Sequence, residues 1–66
     1  MIKCHLSKLM GERKITLQEV HNQTGISRTT LTDIYYEKVK QMKFETIEKL
    51  CRAFGCQIGD LLELID

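Results

Sequence analysis

Between Thr16 and Lys43 the chain gathers hydroxyl, amide, acidic and cationic side chains: Thr16, Gln18, Ser27, Arg28, Thr29, Thr32, Asp33, Tyr36, Lys38, Lys40 and Lys43. Most of them donate hydrogen bonds or positive charge, which suits an anionic partner rich in acceptors. Thr16 and Ser27 also suit the first position of a helix, where a hydroxyl accepts from a free backbone N–H and the helix end carries about half a positive charge. Nothing here is arranged for catalysis. There is no nucleophile with a nearby base, no phosphate-cradling Gly-rich loop and no pair of carboxylates at useful spacing, so no enzyme and no cofactor are expected. Cys4, Cys51 and Cys56 cannot all pair within the chain, and a reducing compartment keeps them as thiols. Only Cys51 and Cys56 lie close in sequence, while His5 and His21 stand apart, so no metal site is expected. Cys51 reads as a small hydrophobe on a helix and Cys56 as a residue of the bend after it.

The elements that carry these residues are read from apolar spacing and from glycine. Ile2, Leu6, Leu9 and Met10 form one stripe of an amphipathic helix closed by Gly11. Thr16 opens a second helix, its hydroxyl capping the N–H three residues on while Glu19 reaches back to the N–H of Thr16. That helix runs to about Thr24, and Gly25 takes the left-handed conformation that ends it. Ser27 caps a third helix with Leu31 and Ile34 inward, running to about Tyr36. Only Gly25, Ile26 and Ser27 separate the two, a turn that sets helices at roughly 90–120° in a helix-turn-helix. Residues 37–43 carry three lysines and read as a basic loop. Phe44, Ile47, Leu50, Cys51 and Phe54 give a fourth helix up to Gly55, and Ile58, Leu61, Leu62 and Ile65 a fifth that reaches the end. No run of four or more residues alternates apolar with polar as a half-buried strand does, so the fold class is all-α, with five helices.

Length and composition agree with one small domain over residues 1–66. The chain has 66 residues, 42% of them apolar and 29% charged, which is globular with a thin core. A pocket for a drug-sized ligand would consume most of that core, so no small-molecule ligand is expected. Net charge is +1, but it is unevenly spread: eight basic and four acidic side chains precede Phe44, and two basic and five acidic follow from it. No apolar run approaches the roughly 20 residues of a membrane span and no secretion signal precedes the first helix, so a cytoplasmic location is expected.

At this point the run from Thr16 to Ile34, TLQEVHNQTGISRTTLTDI, resembles the Cro-like (XRE) phage-repressor family of helix-turn-helix domains. Val20, Gly25, Ile26, Leu31 and Ile34 match the positions that lock the two helices together in that family. The later stretch FETIEKLCRAFGCQIGDLLELI is similar to the family's TLxKLCxxxxCxxGDLLE. Two departures stand out. Leu17 occupies a position where many relatives carry a DNA-contacting Gln, with Gln18 only adjacent. His21 stands where many have Ala because the two helices approach closely, so it must tilt outward or fill a gap.

The resemblance implies a sequence-specific DNA-binding transcriptional regulator of bacterial or phage type, with the third helix in the major groove of double-stranded DNA. The helix starts and Thr16, Gln18, Ser27 and Thr29 would then meet phosphates. Arg28 would bridge guanine O6 and N7 or hold a phosphate; Thr29 and Thr32 would touch a thymine methyl or a base edge; Asp33 would accept from cytosine N4, with Tyr36 on the same outer face. Lys38, Lys40 and Lys43 sit where such domains reach the neighbouring phosphate strand, though three lysines equally decorate an ordinary loop. Of the two tyrosines, Tyr35 is read as the core ring and Tyr36 as the rim. Leu64 lies off the stripe of the fifth helix and Leu61 near its edge, leaving apolar surface for a homodimer through the C-terminal helix. The rival reading, raised by the near-neutral charge and by Leu17, is a protein-interaction or antitoxin-like module whose helix-turn-helix does not read DNA.

Overall fold

A computed structural model describes residues Met1–Asp66. Five helices run in the order α1 (Leu6–Arg13), α2 (Leu17–Thr24), α3 (Arg28–Tyr35), α4 (Phe44–Phe54) and α5 (Ile58–Leu61), and two short strands, β1 (Ile2–Cys4) and β2 (Leu62–Leu64), flank them. The strands pair antiparallel, with Ile2 opposite Leu64, Lys3 opposite Glu63 and Cys4 opposite Leu62. The all-α expectation is therefore corrected to a helical domain whose two ends are tied by a ribbon. Ile2-Lys3-Cys4 and Leu62-Glu63-Leu64 each alternate apolar, polar, apolar, but over three residues, below the length at which alternation stands out in a sequence. The ribbon is extended by Ile65 N–H donating to the Met1 carbonyl (2.7 Å). On its outer side His5 Nε2 meets Glu63 Oε1 at 2.7 Å.

Both terminal helices are shorter than the stripes suggest. α1 starts at Leu6, because Ile2 belongs to the strand, and it passes through Gly11 to Arg13. Lys14 ends it instead, in the left-handed region (φ 55°), with its N–H and that of Ile15 returning to the Gly11 and Met10 carbonyls. This double return closes the helix as glycine usually does, at a cost in backbone strain for a lysine. α5 is a single turn ending at Leu61, after which the chain extends into β2.

Ten apolar side chains form the core: Cys4, Leu6, Met10, Val20, Ile26, Leu31, Ile34, Leu50, Phe54 and Leu61. Leu61 is fully buried, so it contributes no surface for a partner. Phe44, by contrast, is 89% exposed although it opens the stripe of α4. No helix is long and apolar enough to cross a membrane.

Candidate nucleic-acid interface

The turn between α2 and α3 is held by short-range hydrogen bonds that the local sequence supplies. Gly25 takes φ 75° and its N–H returns to the His21 carbonyl at 2.8 Å. The Thr24 hydroxyl donates to the Val20 carbonyl (2.7 Å) and accepts from the Ile26 N–H (3.1 Å). His21 neither clashes nor points away: half-buried, it sets Nδ1 2.6 Å from the Ile26 carbonyl, pinning the far side of the bend. Beneath it Val20, Ile26, Leu31 and Ile34 are buried together, which fixes the rotation of α3 and hence which of its residues face out.

Both caps form. Thr16 Oγ1 accepts from the Glu19 N–H at 3.2 Å and Ser27 Oγ accepts from the Thr30 N–H at 3.2 Å. Glu19 does not reach back to the Thr16 N–H; its carboxylate accepts from the Thr16 hydroxyl at 3.5 Å. The Ser27 hydroxyl donates to Thr30 Oγ1 (2.9 Å), which steadies the start of α3.

With Leu31 and Ile34 sealed inside, Ser27, Arg28 and Thr29 are exposed and Thr32 and Asp33 half-buried at the rim. Arg28 Nη1 donates to Gln18 Oε1 at 2.5 Å, and Gln18 Nε2 donates to Asn22 Oδ1 at 3.0 Å. A polar chain thus runs across the outer faces of α2 and α3, and it answers the departure at Leu17. Leu17 packs against the core while its neighbour Gln18 supplies the amide at the mouth of the two helices. Asn22 belongs to this set although the sequence reading passed over it; its position four residues after Gln18, one helical turn on, is the signal that points to it. The Thr32 hydroxyl donates to the Arg28 carbonyl at 2.8 Å, so its hydrogen is committed and its methyl and lone pairs are what it offers outward. No side-chain hydrogen bond or ion pair restrains Thr29 or Asp33.

α3 ends at Tyr35, with Tyr36 as its cap and Glu37 in the left-handed region (φ 57°). Tyr35 packs against the core and Tyr36 is 62% exposed, the two rings meeting edge to face with centroids 5.0 Å apart. Lys38 Nζ lies 5.9 Å from the Tyr36 ring centre, so this cation is held at the end of α3. Lys40 and Lys43 are exposed but diverge. Lys40 borders a hollow with Ile2, Glu37 and Leu62 beside the ribbon, and Lys43 caps α4 next to a groove that also touches Thr30. The Glu37 carboxylate accepts from the Cys4 N–H at 3.1 Å, a tie from the end of α3 to β1 that joins residues 33 apart and left no trace in the local pattern.

Comparison with known proteins fits this geometry. Residues 5–66 match the Cro/C1-type HTH DNA-binding domain family. The chain is 30% identical over 59 residues to an HTH-type transcriptional regulator of Bacillus subtilis (strain 168), YozG, covering 89% of this chain and 70% of that protein. It is 35% identical over 63 residues to the cryptic phage CTXphi transcriptional repressor RstR of Vibrio cholerae, covering 94% of this chain and 55% of the repressor. It is also 32% identical over 62 residues to the SPbeta prophage-derived HTH-type regulator YopS of Bacillus subtilis (strain 168), covering 92% of this chain and 82% of that one.

Proposed function

Since the chain belongs to the Cro/C1-type helix-turn-helix DNA-binding family, we propose that it is a transcriptional regulator that occupies an operator by laying α3 in the major groove of double-stranded DNA. The observation that carries this reading is the division of α3 into two faces. Leu31 and Ile34 are buried to 1% exposure or less, while Arg28 and Thr29 are exposed and Thr32 and Asp33 lie at the rim. The free N–H groups at the starts of α2 and α3 meet the backbone phosphates on either side. Arg28 uses one guanidinium N–H on Gln18 and has four left, enough for a bidentate contact to guanine O6 and N7. Thr32, with its hydrogen committed, meets a thymine methyl or accepts from a base amine. Lys38 and Tyr36 serve the phosphate strand beyond the end of α3.

A second copy completes the reading. Ile58 and Leu64 are 60% and 72% exposed, and Ile58 lines a groove of about 750 Å³ together with Phe44, Ile47 and Leu62. The homodimer therefore forms on the α4–α5 face and the ribbon rather than through a long terminal helix. Two-fold symmetry would then present two α3 helices to half-sites about one helical turn apart.

Selection of bound fragments from a random duplex pool, followed by a salt titration on the selected site, tests the proposal. The expected result is a defined sequence whose log K falls by about 0.9 per phosphate contact for each log unit of salt. A pool that shows no enrichment, or binding without a salt slope, would instead support a protein-interaction module.

A further inference from the structure

The end of α4 brings two thiols together in a way that DNA binding does not require. Gly55, in the left-handed region (φ 61°), returns its N–H to the Arg52 carbonyl, and the Cys56 N–H returns to the Cys51 carbonyl at 3.0 Å. This paired return closes a six-residue ring and sets the side chains of its first and last residues against each other. A disulfide requires α-carbons about 4.4–6.8 Å apart, so only residues that face each other across a tight return such as this one can be bridged. Both cysteines are half-buried and line the groove between Phe44 and Ile58, so a small oxidant reaches them in the free chain, while no second copy covers that face; Cys4 is sealed in the core. No group of three or more His, Cys, Asp and Glu side chains converges anywhere in the chain, so the pair has the chemistry of a dithiol and not of a metal cage.

We propose that Cys51 and Cys56 form a reversible dithiol–disulfide pair oxidised by hydrogen peroxide, closing a bond across the cap between α4 and α5. Burial and the adjoining Cys51 sulfur push the Cys56 thiol above its ordinary range, and the nearby Arg13 opposes that rise. Cys56 is accordingly assigned the resolving role, acting after Cys51 has been oxidised. The Cys51 thiolate attacks one peroxide oxygen, breaking the O–O bond; the departing hydroxide takes up the proton Cys51 released and leaves as water. The Cys51 sulfenic acid is then attacked by the Cys56 sulfur, forming the S–S bond, while the expelled hydroxide takes the Cys56 proton and leaves as a second water. Two thiols lose two electrons and two protons, and one peroxide becomes two waters.

Trypsin reads the outcome directly, because Lys49 and Arg52 bracket Cys51 and place it on a different fragment from Cys56. The folded protein is treated with hydrogen peroxide, its remaining thiols are alkylated, and it is digested without reductant. The expected product is residues 50–52 joined to residues 53–66, from a monomeric chain, separating again on addition of dithiothreitol. Fragments that stay separate, whether alkylated or carrying sulfinic acid, would overturn the proposal, as would a link through Cys4 or between two chains.

Discussion

At the scale of single residues, the local interactions of the site were legible and the cross-helix ones were not. Thr16 and Ser27 announce themselves because a cap depends only on a hydroxyl and an N–H three residues later. The Arg28–Gln18 link spans ten positions and two helices, and nothing in local spacing marks such a pair. Its consequence is testable: Arg28→Ala should weaken binding to the preferred duplex by about 1–3 kcal/mol and relax the choice of base at one position, read by competition among single-base variants of the selected site. Lys38→Ala should weaken all duplexes alike and reduce the salt slope by about one contact. His21 shows how one departure from a family pattern can be absorbed, since the ring that replaces a small residue takes a carbonyl of the turn as its partner. His21→Ala leaves that carbonyl short of a donor and should cost about 1 kcal/mol, lowering the melting temperature by about 4–8 °C in a domain of this size.

At the scale of elements, periodicity located every helix but misplaced several ends. α2, α3 and α4 match their stripes and caps closely because each is bounded by a hydroxyl or a glycine whose role is local. α1 differs at each end for its own reason: Ile2 continues a helical spacing while belonging to a strand, and Gly11 mimics a terminator while sitting inside the helix. Space is open around the missing Cβ of Gly11, so Gly11→Ala should stabilise the fold by about 0.5–1 kcal/mol, measured by urea unfolding. Lys14, the true terminator, holds a positive φ, and Lys14→Gly should stabilise by a similar amount because glycine adopts that conformation without strain. A fall in stability in either variant would mean that α1 ends elsewhere.

At the scale of the molecule, the ribbon is the feature that a one-dimensional reading reaches least well. β1 and β2 are paired across nearly the whole chain, and three alternating residues are too few to reveal a strand until its partner is known. The same ribbon turns Leu64 outward and leaves Leu61 in the core, which moves the surface available to a second copy from one terminal helix to the α4–α5 face and the strand beside it. Ile58→Lys should then shift the sedimenting species from dimer to monomer at tens of micromolar while leaving helical content unchanged, since Ile58 is 60% exposed. Charge follows the same division: the basic excess lies before Phe44, with the helix-turn-helix, and the acidic excess after it. The most direct measurement is a titration of the isotope-labelled protein with its selected duplex, followed through the backbone amide resonances. Perturbations concentrated at residues 16–18 and 27–33 are the predicted result; a response confined to residues 44–62, with the amides of α3 unmoved, would contradict the placement of that helix against DNA.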